Sequence, residues 1–182
     1  MFRVSTFWLL TVVAGLAVCW APAATLQQLS LDQMTQSATA IVRARVIASS
    51  ARYTGPTIYT HYSLQVTESW KGFNPVEVMV PGGTVNGRRQ SFPGVPQLAI
   101  GTEYLMFLWT SSVTGITHLV GFPQGLFNLT TQPDGSLLAT RPPVGEMMLD
   151  ASGRRVADQT VQMPLATLKS QVAHTLTAGV VK

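Results

Sequence analysis

The residues that could hold a metal or act as a general base are few, and they lie far apart in the sequence. Three histidines occur, at His61, His118 and His174, and no His-Glu-x-x-His motif places two of them on one helix face. His61 and His118 could bind zinc only if two strands brought them together. A solvated histidine on the polar face of a strand is the simpler interpretation. We therefore predict no metal site and no cofactor.

Other catalytic motifs are missing as well. No Gly-x-Ser-x-Gly sequence forms a nucleophile elbow, and the glycine-rich stretch 82–87 lacks the Lys-Ser/Thr pair of a phosphate-binding loop. Among the eight acidic residues, Glu68 and Glu103 fall in predicted strands, where an ion pair with Lys71 or an arginine explains them more simply than acid–base catalysis. The sequence predicts no catalytic residue, which leaves open a hydrolase with an unrecognised active site.

A binding surface is the remaining kind of site, and six residues are its candidates. Four of them alternate with apolar residues on two successive predicted strands, so they could share one open face of the sheet. The other two are arginines beside a predicted tight turn. In both cases an ordinary polar surface is the alternative interpretation. The candidates are Arg43, Arg45, Tyr59, His61, Arg88 and Arg89.

Composition limits the classes of protein that could carry such a surface. The chain has 182 residues, of which 46% are hydrophobic and 11% charged, with 12 Lys and Arg against 8 Asp and Glu. These values exclude a disordered or collagen-like chain. The arginines are scattered rather than concentrated in a stripe, so we expect no nucleic-acid partner.

The first 23 residues have the features of a secretory signal peptide. Arg3 precedes an apolar run over 7–20, and Ala21-Pro22-Ala23 provides a small-x-small cleavage site. An uncleaved anchor is the alternative, although the run is short for a membrane span. After cleavage we expect no transmembrane span and a location in the periplasm or outside the cell. Cys19 would be removed with the signal, which excludes disulfides and thiolate metal sites in the mature chain.

The elements that must position the candidate residues are mostly strands. A capping box at Ser30 and Gln33 predicts a short helix ending near Ser37, and two-residue alternation predicts a strand from Ala40. The clearest strand is 58–70, with Trp70 on its buried face and His61 on its polar face.

Later segments continue the succession of hairpins. Strands are predicted over 76–80, 103–109, 117–120, 126–130 and 136–140, and Asn86-Gly87 predicts a type I′ turn. A surface excursion of about twenty residues follows Arg141. A final helix is predicted from Pro164, with apolar residues at helical spacing.

Together these patterns predict a mainly β fold, a small antiparallel barrel or a sandwich with short N-terminal and C-terminal helices, and the long strand over 58–70 favours the closed barrel. The predicted divisions are a signal peptide over 1–23, a β-barrel domain over 24–141, and a loop with a C-terminal helix over 142–182 that packs on the barrel.

Four stretches of sequence carry a resemblance to known families. They are 37–46, 66–72, 80–83 and 101–108. They resemble a bacterial exported domain that occurs alone or ahead of matrixin-type metalloproteases, and the netrin-like OB barrel of the tissue inhibitors of metalloproteinases. The resemblance covers roughly 30–127 and implies a fold more than a function.

The chain also departs from both families. The tissue inhibitors chelate zinc through an N-terminal cysteine, and the mature chain here has none, so that mechanism carries over to no residue. The protease motif of the matrixins is missing too. We therefore expect an exported, non-enzymatic binding or accessory domain whose partner is a protein, such as a protease, or a cell-envelope component. A hydrolase and a purely structural envelope module are the alternatives.

Overall fold

The computed structural model describes residues 25–180, so the predicted signal peptide lies outside the described residues. The protein is mainly β, as predicted, and has two helices, α1 (Leu31–Ser37) and α2 (Leu165–Val180). A short 3-10 helix covers Phe122–Gly125. The strands are β1 (Thr25–Gln27), β2 (Ala40–Thr54), β3 (Thr57–Lys71), β4 (Glu77–Pro81), β5 (Gly83–Val85), β6 (Arg88–Gln90), β7 (Glu103–Thr110), β8 (Thr117–Leu119), β9 (Leu126–Thr131), β10 (Leu137–Arg141), β11 (Met147–Leu149), β12 (Arg155–Val156) and β13 (Val161–Pro164).

One eight-stranded antiparallel sheet organises the chain. Its strand order is β13-β10-β9-β7-β2-β3-β4, and β8 pairs with β7 beside that path. β8 lies next to β4, yet no ladder of hydrogen bonds joins these two strands in the described residues. The predicted closed barrel is therefore not found, because the ladder stops between β4 and β8. Two smaller sheets, β1-β11-β12 and the β5-β6 hairpin, accompany the main one.

Both faces of the main sheet are covered by apolar side chains. The inner face carries one core, which includes Val42, Tyr62 and Met106. On the outer face, α1 and α2 pack over a second core that includes Phe107 and Leu168. β7 is buried on both faces, which explains why its sequence is a nearly continuous apolar run.

A bulge in β3 changes which face its last residues occupy. Arg43 pairs with Glu68, but the next residue, Ala44, pairs with Val66, so Thr67 is an extra residue in β3. The bulge reverses the alternation, and a second register shift leaves Trp70 itself without a partner residue in β2. Trp70 packs on the outer core under the helices. The prediction that Trp70 shares a face with the inner-core residues of β3 was therefore wrong.

The predicted N-terminal helix is confirmed with its capping box. The Ser30 hydroxyl accepts a hydrogen bond from the Gln33 amide, and the Gln33 side chain accepts one from the Ser30 amide. At the other end of α1, the Lys71 ammonium donates to the carbonyl oxygens of Thr35 and Gln36, at 2.8 and 3.1 Å. Burial lowers the pKa of Lys71 below its ordinary 10.5. This contact joins the end of β3 to the helix.

The segment after Arg141 differs from the predicted excursion. It contains β11, β12 and β13, and β13 pairs with β10 in the main sheet. Strands this short carry too little alternation to be recognised in a sequence rich in proline and glycine. The C-terminal helix α2 packs against α1, β10 and β13. No helix within residues 25–180 has the length and apolar character needed to span a membrane.

Candidate functional site

The backbone edge of β4 that faces away from β3 has no hydrogen-bonded partner strand in the described residues. The amide of Gly82 donates to Ile58 O, and the amide of Leu64 donates to Val76 O, at 2.7 and 2.8 Å. Because bonding residues alternate along an antiparallel strand, the backbone groups of Glu77, Met79 and Pro81 point away from β3. These groups face β8 and the loop before it.

Three cavities follow one another along this edge. The first has a volume of about 410 Å³, the second about 220 Å³ and the third about 240 Å³. Met79 lines both the first and the second, and Val80, Pro81, Val95 and Pro96 line both the second and the third. We call this row the β4 groove. The second and third cavities adjoin over four shared lining residues, and the first adjoins the second at Met79.

The first cavity contains a histidine–carboxylate pair. The His61 Nδ1 lies 2.7 Å from Glu77 Oε1, and the same oxygen lies 3.5 Å from an Arg52 nitrogen. His61 is only 3% exposed, and its Nε2 is buried with no hydrogen-bond partner in the described residues. The interpretation of His61 as a solvated histidine is therefore wrong, because the segment 110–117 lies across this cavity.

The second cavity is an aromatic and proline-lined cup, which we call the central cup. The rings of Tyr59 and His118 lie 6.3 Å apart and are tilted by 54°. Pro81, Pro96 and Phe122 complete its wall. Phe122 has a φ of 61°, in the left-handed region that a bulky side chain seldom adopts. Strain of this kind tends to occur at functional sites.

The third cavity lies between the β5-β6 hairpin and the loop over 91–97. Thr84 and Arg89 are paired across the hairpin, and both line this cavity. Arg88 directly precedes Arg89 in β6. Because side chains alternate along a strand, the Arg88 side chain points to the side of the hairpin opposite to that of Arg89. The predicted turn is confirmed, since Asn86 and Gly87 have φ values of 50° and 75°. The structure thus separates two arginines that the sequence treats as one group.

Arg43 and Arg45 do not reach the groove. Glu68, opposite Arg43, lies seven residues along β3 from His61, which corresponds to about 23 Å in an extended strand. Arg43 pairs with Glu103 at 3.0 Å and with Glu68 at 3.9 Å. Arg45 donates to the carbonyl oxygen of Gly101. Of the six predicted binding residues, Tyr59, His61 and Arg89 come together along the groove, and Arg43, Arg45 and Arg88 do not.

The acidic residues around Arg43 are held as carboxylates. A hydrogen bond from Lys169 lowers the pKa of Glu68 below its ordinary 4.5. Burial raises the pKa of Glu103, but hydrogen bonds from Thr67 and Arg43 outweigh it, so that the pKa is also below 4.5. This cluster ties β2, β3, β7 and α2 together, so its role is structural.

Exposed apolar side chains gather around the groove. Of nine large apolar side chains exposed in the described residues, six lie in or beside it. Phe73 and Val76 line the first cavity, Phe122 the second and Phe92 the third, while Trp109 is the strand partner of His118. Val113 lies within the covering segment 110–117. The other three are Ile47, Tyr53 and Ile100. Exposed apolar surface concentrated in one region is typical of an interaction site.

The groove offers little for catalysis or metal binding. Within residues 25–180, no group of three or more His, Cys, Asp or Glu side chains is placed to hold a metal ion. The hydroxyls lining the first cavity belong to threonines, and those of Thr110 and Thr117 lie 2.8 Å apart and bond to each other. No hydroxyl is seen bonded to His61.

Comparisons with known proteins add no identification: no protein-family model and no curated protein matches the chain. Only the geometry of the described residues indicates a site. Sequence reasoning considers His118 only as a possible zinc ligand beside His61, and it misses Phe73 and Phe122 as site residues. His118 could have been found from its position in a short strand, but nothing in the sequence indicates that Phe122 has a positive φ.

Proposed function

We propose that the protein is an exported, non-enzymatic binding domain that holds a protein partner in the β4 groove. The observation that carries this proposal is the concentration of exposed apolar and aromatic side chains along an unpaired strand edge. A groove with a central aromatic cup suits a peptide segment, because its apolar cavities and the exposed apolar side chains around it supply complementary contacts. Export itself is inferred from the sequence of residues 1–23.

The order of strands supports a relation to OB barrels. β2, β3 and β4 form a meander, β7 returns to pair with β2, and β8 lies between β7 and β4. This corresponds to a five-stranded OB barrel left open between β4 and β8. OB barrels bind ligands on the face of their second and third strands, which here are β3 and β4. We propose that the domain is OB-like in this sense and that its groove occupies the same face.

Matched surface variants test the binding proposal. Phe73→Ser with Trp109→Ser alters the groove, while Ile47→Ser with Ile100→Ser removes exposed apolar side chains elsewhere. Tagged protein of each kind is used to capture partners from envelope and culture-fluid fractions, with quantification by mass spectrometry. We expect partners that are lost with the groove variant and kept with the control variant. An identical set of partners in both cases would refute the proposal, provided that melting temperatures show both variants to be folded.

The hydrolase alternative is favoured by one observation, the His61–Glu77 pair at 2.7 Å on the wall of the first cavity. A carboxylate that orients a histidine is what a general base requires. A panel of chromogenic ester, phosphoester and glycoside substrates tests it with His61→Asn and Glu77→Gln. Turnover by the wild-type protein that both variants lose would establish a hydrolase and replace the binding proposal.

A further inference from the structure

We propose that the groove takes an extended peptide segment in which a carboxylate binds Arg89 and an apolar or proline side chain fills the central cup. This inference rests on the proposed function and specifies the chemistry of the partner. It is carried by the charge and shape of the second and third cavities together.

The basic end of the groove is the first part of the argument. Arg89 is exposed and lines the third cavity, and no acidic side chain lies within ion-pair distance of it in the described residues. The other side chains of this cavity that carry polar groups are uncharged, among them Thr84, Ser91 and Gln97. A guanidinium beside neutral donors is complementary to a carboxylate, which it can bind through two hydrogen bonds.

The apolar middle of the groove is the second part. The wall of the central cup contains Tyr59, Pro81, Pro96 and Phe122, together with the His118 imidazole among mostly apolar neighbours. Its volume of about 220 Å³ is too small for a folded element but suits one side chain. Aromatic and proline walls are typical of grooves that bind extended, proline-containing peptides.

The spacing of the two cavities sets the register of the peptide. In this part of the chain, the cup is lined by residues 79–81 and the third cavity by residues 80–84, so the two linings are centred two residues apart. Two residues of extended chain correspond to about 7 Å. An extended peptide that spans both cavities would therefore place its acidic residue two or three positions from the residue that fills the cup.

The adjacent arginines provide a matched pair of variants. Arg89→Gln and Arg88→Gln remove the same charge from neighbouring positions, but only Arg89 lines the groove. A library of random twelve-residue peptides displayed on phage is selected on the purified mature protein. Selected peptides and their Glu→Gln or Asp→Asn counterparts are then measured by fluorescence anisotropy against wild type, Arg89→Gln, Arg88→Gln and Tyr59→Ala.

We expect enriched peptides to share an acidic residue two or three positions from proline or another apolar residue. Arg89→Gln should weaken their binding about tenfold or more, since it removes a charge-assisted hydrogen bond, while Arg88→Gln should change it less than about twofold. Replacing the acidic residue of a peptide by its amide counterpart should weaken binding to wild type as much as Arg89→Gln does. The same replacement should not weaken binding to Arg89→Gln any further.

Three results would overturn the inference, and they are distinguishable. If the selected peptides bind Tyr59→Ala poorly but share no acidic residue and do not depend on Arg89, the groove binds peptides through a chemistry other than the one proposed. Peptides that are indifferent to Tyr59→Ala as well, or none enriched at all, would refute the groove itself. Dimerisation of the mature protein that Tyr59→Ala abolishes would mean that a second copy occupies the groove, and would also overturn the inference.

Discussion

His118 Nδ1 lies 3.3 Å from the carbonyl oxygen of Met79, and this contact links β8 to β4 where the ladder of backbone hydrogen bonds is missing. A side chain thus bridges the opening of the sheet. The bridge also forms the boundary between the first two cavities, since Met79 lines both. The stability of this edge and the shape of the groove consequently both depend on His118.

Removal of this bridge should loosen β8. We expect His118→Ala to lower the free energy of unfolding by about 1 to 2 kcal/mol, because a partly buried carbonyl loses its partner. In hydrogen exchange, amides of β8 should lose protection while those of β9 and β10 keep theirs. Thr114→Ala, in the exposed loop, serves as the control. Equal protection of β8 in His118→Ala and wild type would show that the contact does not hold the two strands together.

The strained backbone at Phe122 predicts an unusual order of stability among variants. A residue with a side chain pays about 1 to 2 kcal/mol in the left-handed region, whereas glycine does not. We expect Phe122→Gly to be more stable than Phe122→Ala by about 1 kcal/mol in urea unfolding. At Phe73, which has no positive φ, alanine should be the more stable of the two. If the alanine variant is more stable than the glycine variant at both positions, the backbone at Phe122 is not strained. Both variants of Phe122 should bind partners less well, because each removes the ring from the central cup.

Gly72 is predicted to tolerate no side chain. A Cβ there would lie 2.0 Å from the carbonyl oxygen of Thr39, while at Gly55 it would meet no heavy atom within 4 Å. Both glycines have positive φ values, of 71° and 61°. Gly55→Ala should therefore cost only the conformational strain, about 1 kcal/mol, and Gly72→Ala should cost at least about 3 kcal/mol. Similar costs for the two variants, measured by urea unfolding, would mean that the chain after β3 does not pack closely on Thr39.

The cluster around Arg43 predicts how stability depends on pH. The folded-state pKa values of Glu68 and Glu103 lie below 4.5, so the unfolded chain binds more protons than the folded one in acid. The stabilisation is complete above the unfolded-state pKa and is lost as the pH falls below about 4.5 towards the folded-state values.

Arg43→Met should reduce this dependence. Urea unfolding at pH 6 and pH 3.5 should show a smaller difference in the variant than in wild type, because Glu103 loses a hydrogen-bonded partner. At pH 6 the variant should be less stable by about 1 to 2 kcal/mol. Arg88→Met, whose arginine lies outside the cluster, should keep the wild-type pH dependence. An unchanged difference in Arg43→Met would show that Arg43 does not maintain the lowered pKa values.

Local patterns predicted most of the fold. The capping box at Ser30, the Asn86-Gly87 turn and the long alternation in β3 each depend on neighbouring residues, so they could be read directly from the sequence. The bulge at Thr67 could not, because an inserted residue is defined only by the partner strand. Trp70 was placed on the wrong face for that reason.

The site was harder to predict than the fold. Tyr59, His61 and Arg89 were candidates because of their types, but the sequence could not show that Arg43 and Arg45 are engaged elsewhere in ion pairs and backbone contacts. The burial of His61 depends on a loop that is about fifty residues away along the chain. Long-range contacts of this kind leave no periodic pattern, so only the folded arrangement distinguishes Arg89 from Arg88.

The most direct test of the binding groove is photo-cross-linking in the cells that produce the protein. The photoreactive residue p-benzoylphenylalanine is placed at Tyr59, inside the central cup, or at Tyr53, which is exposed outside the groove on the adjoining strand β2. We expect a light-dependent covalent adduct to one protein partner at position 59 and none at position 53. The absence of an adduct at position 59, or equal yields at the two positions, would contradict the proposed binding groove.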